Sequence, residues 1–335
     1  MHEDQTTEPL TPKPILQMAM AFQQSRVLLT GYELGLFTVI NEEWKTSAEV
    51  AEAIEADPRA TDRLMNALVA LGLLEKQGDR FTITPAAARY LVRGRPDYLA
   101  GLGHTAHLWR TWSGLTDAVR AGTSLVGDEI NQRGEDWLRA FIAAMHWRAK
   151  ETSDETIRLL DLSGVASVLD VGGGSGVFSM AFVRAGQGIH AVVFDLPNVV
   201  PLAKTHVESA GYGAQISTAA GDYRTDELPS GYDLVFLSAI VHSLSPDANR
   251  QLIRKAAAAT SPGGRVVVLD QLMNEPRTGP LTAALFALNM LVGTGAGDTY
   301  TESEVRGWMA EAGLCDVTRT NTGSVSDFVI GRKPR

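Results

Sequence analysis

Between Ser167 and Leu269 the chain switches repeatedly between short, almost wholly apolar runs and helical stretches, and no other feature narrows the possible folds as far. Residues 167–171, 191–194, 233–237 and 265–269 each read as a compact strand with few polar side chains. A strand covered on one face alternates polar with apolar residues, whereas a near-continuous apolar run is covered on both. Helical stretches at 199–210 and 247–260 supply that cover. The expected architecture is therefore an α/β fold with a doubly wound parallel sheet. At 335 residues the chain also has room for a second domain.

In a sheet of this kind a ligand sits beyond the carboxyl ends of the strands, at the point where strand order reverses. The loop after the first strand reads Asp170-Val171-Gly172-Gly173-Gly174-Ser175-Gly176. Glycines in four of five positions let the backbone turn sharply and approach a ligand with no Cβ in the way. Nicotinamide and phosphate binders also use glycine-rich loops, so spacing has to discriminate. Counted from Gly172 or Gly174, the third glycine of G-x-G-x-x-G would fall on Val177 or Ser179, and no Gly-Lys-Ser/Thr is present. Both pyrophosphate and nucleoside triphosphate are disfavoured. The second strand ends in Phe194-Asp195-Leu196-Pro197, which places a carboxylate where it can accept from two ribose hydroxyls, a role shared with nicotinamide binders. The third region ends in Ala220-Gly221-Asp222-Tyr223, offering a second carboxylate to an adenine amino group and a ring beside its face. The set fits a ligand that carries adenosine without a diphosphate. Asp170 has two readings, a structural carboxylate bonding loop amides or a direct ligand contact.

Ahead of this region, a polar, proline-spaced tail of about 14 residues precedes Ile15, Met18, Phe22, Leu29, Tyr32 and Leu36, which recur at helical spacing. Residues 46–84 then read helix, turn, helix, hairpin. Thr46-Ser47 can cap a helix over 48–56, Asp57-Pro58 breaks it, Thr61 or Asp62 can cap a second over 63–71, and 73–76 with 80–83 form a hairpin. That is a winged-helix pattern, best known for reading DNA. Seven basic residues against seven acidic ones between Thr46 and Pro96 make the module neutral, and the second helix is rich in Leu, Met and Val. Both features suit dimerisation better than groove contact, as does the net charge of -9. Residues 100–150 carry Trp109, Trp112, Trp137, Phe141 and Trp147, either a connector packed on itself or the wall of a pocket. His104 and His107 lie one helical turn apart without further ligands, so no metal site is expected. Cys315 is the only cysteine, which excludes an internal disulfide. With no secretory leader read at the amino terminus and no run of about 18 apolar residues, a cytoplasmic protein with neither membrane nor nucleic-acid partner is expected.

Val-Gly-Gly-Gly-Ser-Gly, Phe-Asp-Leu-Pro, Gly-Asp-Tyr and Pro-Gly-Gly follow one another after a winged helix and a helical connector. In that order they resemble the S-adenosylmethionine-dependent O-methyltransferases of the plant caffeate and bacterial polyketide-tailoring type. The resemblance covers nearly the whole chain. It implies a winged-helix dimerisation domain over 1–105, a helical connector over 106–155 and a class I methyltransferase domain over 156–335. It further implies a homodimer, S-adenosylmethionine as cofactor and a small-molecule methyl acceptor. Gly172, Gly174, Asp195, Asp222 and Tyr223 are the expected cofactor contacts, with Asp170, Leu196 and Ser238 at neighbouring strand tips. His242 matches the family's general base and Asp270 one of the carboxylates that orient it. An imidazole suits proton abstraction from a phenol because its ordinary pKa is about 6.5.

The chain also departs from the family pattern. Ser238 stands where Lys or Arg is usual, Ser243 where Asp follows the base, and the second orienting glutamate falls on Thr299, next to Asp298. O-methylation of a hydroxylated aromatic or natural-product acceptor is the leading expectation. The alternatives are S-, N- or C-methylation, a nicotinamide-dependent oxidoreductase, and a cofactor-sensing winged-helix regulator.

Overall fold

The computed structural model describes residues 11–126 and 134–335, and the chain divides into two compact units after Ala106. The first ten residues of the expected polar tail lie outside the described residues. In the first unit, α1 (Pro12–Met20) and α2 (Phe22–Glu33) take up the helical spacing, and α3 (Leu36–Ile40) follows a turn at Gly35. After β1 (Lys45–Thr46), α4 (Ser47–Ala53) opens with a capping box in which the Thr46 hydroxyl accepts the Glu49 amide and the Glu49 carboxylate accepts the Thr46 amide.

The next helix, α5 (Pro58–Ala70), begins earlier than the sequence suggests. Asp57 is its cap, accepting the Ala60 amide at 2.8 Å, while Thr61 is buried within the helix. Proline at the first helical position sacrifices no hydrogen bond and already has the right φ, so the pair that ends one helix also starts the next. β2 (Leu74–Gln77) and β3 (Arg80–Ile83) pair down to Gln77 opposite Arg80, leaving a turn of Gly78 and Asp79 with Gly78 at φ 62°. Positive φ at the first central residue suits the twist of a tight hairpin. β1 pairs with the other edge of β3, and α6 (Pro85–Tyr90) closes the unit. Met65 and Leu68 of α5 are fully buried with Phe37 and Phe81, so the apolar face of this helix faces the unit's own core.

α7 (Leu102–Trp112) crosses the division, and α8 (Leu115–Ala121), α9 (Glu135–Lys150) and α10 (Ser153–Arg158) follow in the second unit. The chain then alternates through β4 (Ser167–Val171), α11 (Val177–Ala185), β5 (His190–Asp195), α12 (Val200–Ser209), β6 (Ile216–Ala220), β7 (Tyr232–Ser238), α13 (Pro246–Ala259) and β8 (Thr260–Asp270). It ends with α14 (Leu281–Gly293), α15 (Glu302–Glu311), β9 (Cys315–Thr320) and β10 (Asp327–Arg332). The described strands form a seven-stranded sheet in the order β6-β5-β4-β7-β8-β10-β9. It is parallel except for β10, which runs antiparallel to both neighbours.

Alternate residues of each strand enter different cores. Val168, Leu234, Phe236 and Val267 pack with Met180, Phe182 and Val207 on one side. Leu169, Val171, Val235, Leu237 and Val268 pack with Leu252, Ile253, Trp308 and Met309 on the other. Strand order reverses between β4 and β7, and the register sets Asp195 beside Ala220 and Ser238 beside Leu269, so the carboxyl ends stand level along one edge.

The cap of α5 is open to test. Asp57→Ala should lower stability by about 1 kcal/mol in urea denaturation, the usual cost of losing such a cap. An unchanged midpoint would mean that α5 does not depend on this residue for its start.

Candidate functional site

The loop that leaves β4 is shaped by its glycines. Gly172, Gly174 and Gly176 have φ of 64°, 57° and 74°, a region that L side chains rarely adopt. Space is equally restrictive. A Cβ on Gly172 would collide with Ile240, and one on Gly173 would lie 2.8 Å from the Asp170 carboxylate. The loop is thus a bare-backbone cradle at the switch point of the sheet.

Two buried carboxylates support it. Asp170 is 1% exposed and accepts the Ser179 hydroxyl at 2.7 Å, and burial, with nearby Asp195 adding to it, pushes its pKa up to about 6. Asp195, at the tip of β5, accepts the Gly174 amide at 2.8 Å on one oxygen and the Leu196 amide at 2.7 Å on the other. Each oxygen keeps a lone pair for a ligand hydroxyl. Burial also pushes Asp195 up to about 6, against the pull of those two amides. Carboxylates so placed repel a diphosphate and favour hydroxyl donors and a cation. The cradle and this donor set fit S-adenosylmethionine.

Asp222 and Tyr223 follow β6 at the same edge. Burial opposes the charge of Asp222, but the amide and guanidinium of Arg224 outweigh it and hold its carboxyl below the usual range. The guanidinium reaches both carboxylate oxygens, at 2.9 to 3.2 Å. The Tyr223 ring lies beside the position a Gly172 Cβ would take, 3.6 Å away, and burial raises its pKa. Ser238 ends β7, and the next residue, Ala239, has φ 56°, a strained value for a residue with a Cβ.

That turn delivers His242 to Asp270 at the end of β8. Nδ1 of His242 lies 2.8 and 3.0 Å from the two carboxylate oxygens. A carboxylate only accepts, so in the neutral ring Nδ1 carries the hydrogen and Nε2 has the free lone pair. Asp270 is 2% exposed in its side chain and also accepts the Gln271 amide at 2.8 Å. The edge of the pair is closed by Phe286 of α14, whose ring meets the imidazole at 82° and 4.8 Å. One turn along α14, Asn289 accepts the Trp112 indole N–H at 2.8 Å.

The other residues in question do not reach His242. Thr299 is buried and gives its hydroxyl to the Ala283 carbonyl at 3.1 Å, and Ser243 bonds the Ile240 carbonyl at 2.7 Å. The Asp298 carboxylate pairs with Arg277 at 2.9 Å, though its amide does hold the His242 carbonyl at 2.9 Å. Sequence reasoning passed over His146 of α9, whose Nδ1 lies 2.9 Å from the Ser175 hydroxyl in the glycine loop. Its helical phase with Leu138 and Ile142, both buried, was a usable sign. Among the described residues no cluster of His, Cys, Asp and Glu could hold a metal ion.

A model of the O-methyltransferase domain family matches residues 112–315, and one of the O-methyltransferase dimerisation domain matches residues 16–93. The chain is 34% identical over 331 residues to the tetracenomycin polyketide synthesis 8-O-methyl transferase TcmO of Streptomyces glaucescens, covering 97% of each. It is 33% identical over 323 residues to the N,N-dimethyltransferase OxyT of Streptomyces rimosus, covering 92% of this chain and 93% of that one. Among solved structures, PigF with SAH matches with a TM-score of 0.89 at 26% identity, over 97% of this chain and 100% of that one.

Burial of Asp195 predicts a pH dependence. An acid whose pKa is raised on folding contributes stability that is fully present below its unfolded value, about 3.9, and lost as pH rises through its folded value, here about 6. Asp195→Asn removes that titration. Between about pH 4 and pH 8 the cofactor-free variant should therefore gain on the parent chain by on the order of 1–3 kcal/mol in urea denaturation. A difference that stays flat with pH would show that Asp195 is not held desolvated.

Proposed function

This chain belongs to the O-methyltransferase family that takes S-adenosylmethionine as donor, and we propose that it methylates a hydroxyl of a small planar acceptor with His242 as general base. The observation that carries this reading is the His242–Asp270 pair, whose Nδ1 is fully engaged and whose Nε2 is left to accept a proton. S-adenosylmethionine supplies a methyl group already activated by the positive charge on sulfur. Gly172 and Gly174 would let the main chain approach it, and Asp195 would accept its ribose hydroxyls. Leu196, Asp222, Tyr223 and Ser238 would wall the adenosyl group, and Asp170 holds the loop through Ser179. Much of the rate comes from holding donor and acceptor in line. Nε2 would take the hydroxyl proton as the acceptor oxygen bonds to the methyl carbon, the sulfur–methyl bond would break to release neutral S-adenosylhomocysteine, and Asp270 would stabilise the charge on the ring. Phe286, with Trp112 anchored by Asn289, suits a flat acceptor, and TcmO's name places its own O-methylation in polyketide synthesis.

An amine acceptor is the second reading. It is favoured by the likeness to OxyT, an N,N-dimethyltransferase. The same lone pair would then remove a proton from an ammonium group.

The enzyme acts as a homodimer in this reading. The dimerisation domain lies over 16–93, and Ile15, Leu16, Met18, Met20 and Phe22 are 50 to 64% exposed, an apolar row that a second copy would cover. Among the described residues no helix is long and apolar enough to cross a membrane, and the one cysteine, Cys315, is exposed and has no second cysteine in the chain to pair with; a cytoplasmic location belongs to this proposal.

With a panel of phenolic and amine acceptors read by product mass, His242→Ala should lower turnover of the hydroxyl acceptor by about 10² to 10⁴-fold while leaving S-adenosylhomocysteine affinity within about twofold. Full activity in that variant would remove His242 from the chemistry. Sedimentation at micromolar concentration should return twice the chain mass, and a monomer there would refute the dimer.

A further inference from the structure

α9 reaches the cofactor edge through three contacts that the reaction does not itself require. Leu138 and Ile142 share a buried cluster with Leu196 and Val199, the turn that follows Asp195. Ile142 also lies 3.7 Å from where a Gly174 Cβ would stand. One turn further on, His146 touches the glycine loop itself. Its Nδ1 is 2.9 Å from the hydroxyl of Ser175, a side chain only 3% exposed. The ring itself stacks on His206 of α12 at 4.6 Å and 18°. His146 thereby ties together the loop carrying Gly174 and the helix that follows Asp195.

We propose that His146 is a positioning residue for the donor: through Ser175 it locks the glycine loop against α9, so that cofactor affinity depends on a helix outside the sheet. The inference rests on the reading of this loop as the S-adenosylmethionine site. Gly174 is the pivot of the argument. Its amide is one of the two that Asp195 accepts, and its neighbour Ser175 is the residue His146 holds, so slack at Ser175 loosens the Asp195 carboxylate as well. The ring is suited to a constant neutral bond. Burial first, then His206 and Lys150, pull its pKa down to about 4, so it stays uncharged at neutral pH.

Calorimetric titration of the full chain with S-adenosylhomocysteine separates this lock from simple packing. His146→Phe keeps a flat ring against His206 but has no nitrogen for Ser175, and Ser175→Ala removes the partner. Each should weaken binding roughly 5- to 10-fold, the size of one neutral hydrogen bond. The double variant should be no weaker than the worse single one, because both changes break the same bond. His146→Asn, which offers a polar atom close to the position of Nδ1, should restore affinity to within about threefold of the parent. Parent-like affinity in His146→Phe would overturn the proposal, as would losses that multiply in the double variant. If the unsubstituted chain fails to bind S-adenosylhomocysteine, the cofactor reading itself falls, an outcome distinct from either of these.

Discussion

Burial of the parallel sheet on both faces is the constraint from which the site follows. Leu169 and Val171 enter one core and Val168 the other, and the same division holds along β7 and β8. With both faces committed to apolar packing, polar groups are tolerated only where the strands run out. Asp195, Ser238 and Asp270 are the last residues of their strands, and the register of the parallel pairs brings those ends to one edge. Asp170, a fully buried carboxylate inside a strand, has to be satisfied within the core, and Ser179 of α11 does this.

The same burial sorts the acids at that edge by charge. Asp170 and Asp195 have no cation bonded to them and are both pushed up to about 6. Asp222 carries its own Arg224 and is held below the usual range. Negative potential therefore concentrates on the glycine-loop side of the edge. A sulfonium donor lowers the energy of such a pair, whereas a diphosphate would raise it. Asp195 alone does not separate the two, since dinucleotide binders place an acid there as well; the distinction comes from the second buried carboxylate, Asp170, and from the glycine spacing. The cost of keeping carboxylates there falls on the stability of the cofactor-free protein.

The apolar runs made the sheet legible in the sequence because each is only four or five residues long and alternates with helical stretches; an apolar run alone does not suffice, since the longer one at Leu281–Gly293 is the helix α14. The strand-end motifs likewise placed Gly172, Asp195, Asp222 and His242 on the same side. Other features depend on tertiary context. The start of α5 was read from Thr61 or Asp62, both acceptable caps by residue type, but Pro58 decided the matter in favour of Asp57. The Arg224 partner of Asp222 follows it in sequence, yet only the turn after β6 shows that the two side chains meet. His146 stands in no motif, and only its helical phase with Leu138 and Ile142 points inward; its contact with Ser175 depends on α9 packing against a loop 29 residues further along the chain.

The departures around His242 acquire a physical meaning from how its loop is held. Ser243 and Thr299 offer it no carboxylate, and Asp298 is bound to an Arg277 that also grips Glu304. What replaces a second carboxylate is backbone restraint. Asn249, fully buried, donates to the Val241 carbonyl at 2.8 Å, the Asp298 amide to that of His242 at 2.9 Å, and the Tyr300 hydroxyl to that of Leu244 at 2.5 Å. Gly297 permits this closeness, since a Cβ there would strike the His242 carbonyl. The loop's position is therefore fixed by its main chain, while the ring's orientation rests on Asp270 and on the edge of Phe286. The imidazole is thus oriented by one carboxylate, where the family pattern supplies two, and the main chain around it carries the rest of the restraint.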